Sequence, residues 1–383
     1  MSSPSLVQEK ILADSWYNDS VVVNAQRQAD ALKQRVEEMG GGNWWRVYWE
    51  SKERSLSTCP RGCVATWAEE EADLKWTIVP LYLLILFPSW VTAGHFVIHE
   101  ENDAPVSDSH YTQGLELRLV DDLEVLKDGR VLRRTYALRN LIYTPEDISI
   151  SDPQPEDRPW AGLTAVSWGE WVLFEKAMQH SEWMVGVVGP ASHSDDIQSW
   201  FHDLIGSKHP AGWSDQVPDE PVVNWLWQRY YPTDMWGRYD RWGADLTFVY
   251  GAAVGTAFTH VNSGGRLRAG WNMPREYGGI ITPSGLQNWI SAYAFVETDV
   301  KLVAHNITVG GSLFQDGPSR ELERLVADVR AGGTLLFRGL WIPGGNRWDL
   351  GLTFAVVRRT EEFKGQDGMV DFAAYTVQFG RGF

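Results

Sequence analysis

The stretch WGADLTFVYG, from Trp242 to Gly251, alternates. Trp242, Ala244, Leu246, Phe248 and Tyr250 fall on one side of an extended chain, while Gly243, Asp245, Thr247 and Gly251 share the other. Successive side chains of a strand point to opposite faces, so one face here suits lipid and the other water. The same split recurs in LVADVRAGGTLLF, where Leu325, Ala327, Val329, Ala331 and Leu335 oppose Asp328, Arg330 and Thr334. It recurs again where Leu350, Leu352, Phe354 and Val356 oppose Gly351, Thr353 and Ala355. Soluble sandwiches alternate as well. Strands of about ten residues, however, are what a tilted bilayer crossing needs, and here they follow one another to the end of the chain.

The last of them, VDFAAYTVQFGRGF, sets Tyr375, Val377, Phe379 and Phe383 against Ala374, Thr376, Gln378 and Gly380. A terminal Phe after alternating apolar positions resembles the signal by which the bacterial outer-membrane assembly machinery recognises its barrels. The pattern predicts an all-β fold, a transmembrane antiparallel β-barrel of about 12 strands, an even number being expected of a bacterial single-chain barrel. The stretch KLVAHNITVGGSLF from Lys301 to Phe314 is either a further strand or part of an outer loop.

Composition agrees. The 383 residues include 21 Trp and 36 Gly, with both cysteines in CPRGC (Cys59 and Cys63) near the start. That spacing is neither a redox nor a paired zinc motif, and it leaves the rest of the chain without disulfides. Many aromatics without cysteine suit the aromatic girdles of a membrane barrel. The net charge of −16 argues against a nucleic-acid partner.

An export-like segment stands inside the chain. LKWTIVPLYLLILFPSWVTAGHF, from Leu74, has one positive charge at Lys75, an apolar run from Trp76 to Phe87, Pro88, and small residues Val91 and Ala93 before Gly94. This is the layout of a secretory signal over residues 74–93, with a core of roughly 7–15 apolar residues; the rival is a membrane-spanning helix of about 20, against which Pro80 and Pro88 count. A signal places the barrel domain at residues 94–383. Residues 1–73 are polar, and the helix-favouring run Asn24–Met39 ends at GGG. The simplest expectation is that translation has been assigned to an upstream start. No second long apolar run follows residue 94, which excludes helical spans there.

The chemistry is expected in the loops. In SHSDDIQSWFHDLIGS, Ser192 or Ser194 can cap a short helix in an extracellular loop, Asp195 and Asp196 complement its dipole, and Gly206 stops it. Ile197, Phe201, Leu204 and Ile205 form its apolar stripe. Gln198 and His202, four apart, are neighbours beside that stripe; a histidine so placed is either a packing residue or a catalytic base. In YTQGLELRLV, Leu115, Leu117 and Leu119 face lipid, which points Thr112, Gly114, Glu116 and Arg118 inward. Asn102 and Asp103 end the strand before it, as turn formers or as oxygen ligands of a hard cation such as calcium or magnesium.

Taken in order, END…YTQGL, DRPWAGL, VGVVGPAS…IQSWFHDLIGS and GWSDQ…EP resemble the LpxR-type outer-membrane lipid A deacylases, from about the signal cleavage site to Phe383. The resemblance implies a twelve-stranded barrel with its active site near the outer rim, between the wall and the loop helix. It implies calcium-dependent hydrolysis of the 3′-linked acyloxyacyl chain of lipid A, with lipopolysaccharide as the partner in the bacterial outer membrane. It assigns the general base to His202, with Gln198 beside it and Asn102, Asp103 and Thr112 in the remaining positions, Asp103 and Asn102 near the calcium. Arg158 and Lys208 become candidate phosphate contacts, or rim charges paired with neighbouring acids. Ser109 stands where the family often has a basic residue, and the upstream segment has no counterpart in the family. Two readings compete: a passive barrel such as a porin, and an outer-membrane phospholipase, whose usual serine beside a His and an Asn is not apparent here.

Overall fold

The computed structural model describes residues 93–102, 110–121, 124–238, 240–274, 276–277, 280–281, 289–341 and 347–380. The expected upstream segment and signal up to residue 92, both cysteines, Asp103 and the terminal Phe383 lie outside them.

Twelve long strands form the wall: β1 (Ala93–Asn102), β2 (His110–Asp121), β3 (Val131–Thr144), β4 (Ala161–Leu173), β5 (Met178–Val188), β6 (Glu220–Pro232), β7 (Trp242–Gly255), β8 (Phe258–Trp271), β9 (Ile290–Asn306), β10 (Leu325–Trp341), β11 (Arg347–Arg359) and β12 (Val370–Gly380). Each pairs antiparallel with its sequence neighbour, and β12 returns to pair with β1, as in Phe96 opposite Phe379. The sheet is therefore closed and satisfies its own backbone hydrogen bonds, the condition for crossing hydrocarbon with strands. Among the described residues no helix is long and apolar enough to cross a membrane.

The alternation read from sequence is the alternation of the wall. Phe248, Val261, Leu267, Val296, Val329 and Phe354 stand exposed on the outside. Trp236, Trp242, Trp289 and Trp341 are exposed at the end of the barrel where β7 and β9 begin and β10 ends, forming a girdle at that rim. The segment 301–314 divides: Lys301–Asn306 completes β9, and Ile307–Gly310 is a short helix, α2.

Charges cross the lumen. Glu101 of β1 meets Arg330 of β10 at 2.6 Å and accepts from the Tyr111 hydroxyl at 2.8 Å. Asp328 binds Arg359 at 2.7 Å and Lys301 at 2.8 Å, and Arg139 bridges Glu182 and Glu116. Between such pairs lie cavities of about 400 and 290 Å³. Unpaired charges in so confined a space would be costly to bury, and the lumen is lined by pairs of opposite charge around these cavities.

Candidate active site

The loop between β5 and β6 carries helix α1, Ser194–Ile205. Asp195 and Asp196 occupy its first turn, and Gly206, at φ 70°, ends it by donating its backbone N–H to the His202 carbonyl. The N-terminus differs from expectation. Its cap is His193 at φ 54°, with no side-chain cap hydrogen bond of its own; the Ser192 hydroxyl accepts the Ser194 backbone N–H at 3.3 Å, and the Ser194 hydroxyl turns to the wall. Asn140 of β3 donates Nδ2–H to Ser194 Oγ at 2.9 Å and to Thr164 Oγ1 at 2.9 Å. Thr164 in turn donates to the Ser192 carbonyl at 2.8 Å. The serines tie the helix to the wall. Gly162 permits the approach, since a Cβ there would collide with the Ser194 side chain.

These contacts put the helix on the outside of the barrel. Arg139, Leu141 and Tyr143 of β3 face inward, so Asn140, Ile142 and Thr144 face outward by alternation. Ile142 packs with Ile148, Trp160 and Trp213, against which Ile197 of the helix rests. Trp160 and Trp213 pack with ring centroids 5.0 Å apart.

Two helix side chains have their polar atoms assigned by these neighbours. Gln198 is 1 % exposed and accepts the Trp213 indole N–H on Oε1 at 2.8 Å. An indole only donates, which fixes the amide orientation and leaves Nε2 as a buried donor with no partner among the described residues. His202, 6 % exposed, binds the Lys208 carbonyl through Nδ1 at 2.5 Å. A carbonyl only accepts, so Nδ1 carries the proton and Nε2 of the neutral ring is the basic nitrogen.

The wall beside the helix is polar. Asn102 lies opposite Gln113, Gln113 opposite Ile142, and Ile142 opposite Gly162. This row crosses four strands at the level of α1, and at about 4.8 Å per strand it places Asn102 about 10 Å from Ile142. One pleat below, Glu100 lies on the same outer face, one strand across from Gln113 and two residues from Asn102.

Thr112 corrects the sequence-based expectation that it points into the barrel. The β2–β3 register shifts between Tyr111 and Gln113, so Thr112 is an extra residue in a β-bulge. An inserted residue breaks the period of two. Tyr111 turns inward, against Phe372 at 4.8 Å, and Thr112 turns outward, its hydroxyl 2.8 Å from that of Thr144. Gly114, Glu116 and Arg118 face inward as expected. The bulge follows His110, which sits at φ 68° and binds Asp157 through Nε2 at 3.1 Å. Burial pushes the Asp157 carboxyl up, but His110 and the backbone N–H groups of Glu146 and Arg158 outweigh it and hold it below the usual carboxylate range.

Arg158 and Lys208 separate. The Arg158 side chain is buried, 3.2 Å from Glu362 and 3.2 Å from the Thr308 hydroxyl, with its guanidinium 4.5 Å from the Tyr143 ring centroid. Its charge is committed to an acid within the molecule, in keeping with the second of its two expected places, a charge paired with an acid. Lys208 has an exposed side chain, while its carbonyl orients His202.

Gln198, His202, Thr112 and Asn102 therefore share the lipid-facing side of β1–β4; Asp103 lies outside the described residues. Sequence reasoning missed Glu100 and Gln113. The signal was present, because the outward row of β1 reads Phe96, Ile98, Glu100, Asn102 and turns polar where a lipid-facing row should stay apolar. Trp213 and Asn140 gave no such signal, since their roles depend on tertiary contacts. Among the described residues no group of three or more His, Cys, Asp or Glu side chains is placed to hold a metal ion. The outer wall instead offers the oxygens of Glu100, Asn102, Thr112 and Gln113, hard donors that fit calcium.

The family model for outer membrane protein LpxR matches residues 74–380. Among solved structures, LpxR from Salmonella typhimurium superposes with a TM-score of 0.63 at 17 % identity, covering 74 % of this chain and 99 % of that one. The beta domain of the Bordetella autotransporter BrkA gives a TM-score of 0.38 at 10 % identity, covering 76 % of this chain and 97 % of that one. A search of the curated proteins found no match. A closed twelve-stranded barrel with a helix on its outer wall, matched by that family model over most of its length, belongs to the LpxR family of outer membrane proteins.

Proposed function

We propose that the protein hydrolyses the 3′-linked acyloxyacyl ester of lipid A in the outer membrane. The observation that carries this reading is the side of the wall on which the polar groups stand. A solute channel or a lumenal enzyme gathers its chemistry inside; here His202, Gln198, Thr112 and Asn102 lie outside, where hydrocarbon surrounds the barrel. Polar groups facing lipid are costly and mark function, and a substrate that reaches them is itself a membrane lipid. Family membership supports lipid A as that lipid.

In this mechanism His202 Nε2 takes a proton from water as the water oxygen attacks the ester carbonyl carbon. The buried Nε2–H of Gln198 donates to the carbonyl oxygen as negative charge grows there. Asn102 and Asp103 would hold calcium, which would supply positive charge to the developing oxyanion. The C–O bond to the sugar then breaks, and the imidazolium returns its proton to the departing sugar oxygen, releasing the acyloxyacyl chain as a carboxylic acid. The Lys208 carbonyl keeps the ring in the required tautomer throughout, and the exposed Lys208 ammonium would then meet a phosphate of the headgroup.

Mass spectrometry of lipid A from cells expressing the protein tests this. The wild type is expected to remove the mass of the 3′-linked acyloxyacyl group, H202A to leave it, and a chelator to stop the reaction until calcium is restored. An unchanged acyl pattern with folded wild-type protein refutes the reading, and release of fatty acid from glycerophospholipid instead would make the protein a phospholipase.

A further inference from the structure

The two sides of the barrel show the membrane apolar walls of unequal height. On β7 every outward side chain from Trp242 to Val254 is aliphatic or aromatic, and on β10 none from Leu325 to Phe337 is polar. Runs of that length cover about 40 Å of strand, or about 30 Å along the membrane normal at the usual strand tilt, and so span the ~25 Å apolar band of a barrel.

The side that carries α1 is shorter. The outward row of β3 reads Arg134, Tyr136, Leu138, Asn140, and that of β4 reads Thr164, Val166, Trp168, Glu170. On each strand two apolar side chains stand between polar ones, a bracket of about 20 Å of strand and about 15 Å along the normal. Its lower edge is charged: Arg134 pairs with Glu124 at 2.8 Å and lies directly opposite Glu170. Tryptophans mark the same edge. Trp168 and Trp183 are directly opposite each other and exposed, one pleat from Glu170 and Ser181. They stand within their strands, whereas Trp242 opens β7. Tryptophan settles at the boundary between hydrocarbon and water, so on this side the boundary lies partway along the wall.

A wall shorter than the hydrocarbon around it is accommodated by thinning of the bilayer. We propose that the β1–β4 face thins the membrane beside it, so that the headgroup boundary meets Asn140 and Thr164 under α1, while the opposite face holds a bilayer of full thickness. Resting on the proposed function, the purpose is delivery: a membrane lipid carries its esters at that boundary, and thinning brings them to the level of His202.

The test is the depth of nitroxide labels on the full chain in palmitoyl-oleoyl phosphatidylcholine vesicles, read from relaxation by oxygen against a nickel chelate. With Cys59 and Cys63 replaced by Ser, labels are attached at V166C and W168C on β4, L138C on β3, and L246C, F248C and Y250C on β7. The shift in gel mobility on heating confirms folding, and L138C decides if the β4 variants do not fold. In a bilayer of even thickness both faces pass the midplane and reach the same greatest depth. Thinning is expected to leave the greatest depth on β3 and β4 about 5 Å short of that on β7, half the difference between the ~15 Å bracket and the ~25 Å band. Adding R134L and E170L, which lengthens the apolar wall at the end away from α1, is expected to restore part of that depth. Equal greatest depths on the two faces overturn the proposal, as does an unchanged difference in the folded R134L/E170L variant. Depth is read without turnover. Unequal depths in a protein that leaves lipid A intact therefore sustain the thinning and remove the hydrolase reading, and equal depths in a protein that deacylates lipid A remove the thinning alone.

Discussion

The outer surfaces of the two sides of the barrel obey one rule and use it differently. On β7–β10 the outward row stays apolar towards the rim that carries the loops, with Val254, Val261, Val300, Leu302 and Leu325 exposed to lipid. On β1–β4 the outward row at the same rim reads Glu100, Asn102, Gln113, Asn140, Thr144 and Thr164. Strand geometry does not distinguish the two sides, since both are paired without a break. What differs is cost. Each polar group presented to hydrocarbon is a loss unless another group satisfies it, and among the described residues it is the β1–β4 side that has a helix whose Ser194 and indole-bound Gln198 pack against it. The difference locates the chemistry.

Four substitutions probe that contrast. The largest effect is expected from H202A. Loss of a positioned general base should lower kcat by about 10²–10⁴-fold, or roughly 3–5 kcal/mol of transition-state stabilisation, with little change in unfolding, as measured by initial rates on purified lipid A. On the opposite side, L267K places a charge in the middle of the apolar wall, where Leu267 is 45 % exposed. It should cost about 2–4 kcal/mol of barrel stability in equilibrium unfolding from vesicles while leaving kcat intact.

D157N comes third. The Asn side chain would face His110 and two backbone N–H groups with one acceptor end too few, at about 1–3 kcal/mol. The sign of its pH dependence follows from the depressed pKa of Asp157. A carboxyl held low in the folded state stabilises fully above its unfolded pKa, about 3.9, and loses that contribution as pH falls through the folded value. The gap between wild type and D157N should therefore persist above about pH 5 and close only below about pH 4, in denaturant titrations at each pH. The smallest effect is expected of E100L, within about 1 kcal/mol of wild type in the same unfolding assay or slightly stabilising, since an apolar group replaces a carboxylate that faces lipid. A large loss of stability in E100L would erase the contrast between the two sides.

Much of this was legible in the sequence because a barrel wall is repetitive. Trp242 to Tyr250 could be assigned to lipid and Asp245 and Thr247 to the lumen from period alone, and Gly206 ended the helix where a left-handed residue was needed. Thr112 was not legible, because a single inserted residue reverses the parity of everything before it and leaves no mark in composition. Ser194 reads as a helix cap until Asn140, 54 positions away, takes its hydroxyl. Arg158 reads as a rim charge until Glu362, 204 positions away, buries it. Local patterns name the elements; which partner claims each polar atom is decided by the closed sheet, which brings distant segments to one rim.

The helix stands on the lipid side of the wall, and this bears on how the protein meets its substrate. On the proposed function, a lipid arriving there would not need to leave the leaflet, thread a pore or cross an aqueous gap; it would drift in two dimensions along the barrel until its ester passed under His202. Encounter frequency is then set by molecules per unit area rather than per unit volume. Diluting lipid A with inert lipid at fixed total lipid should slow turnover, whereas diluting the whole vesicle suspension in buffer should leave the rate per enzyme unchanged.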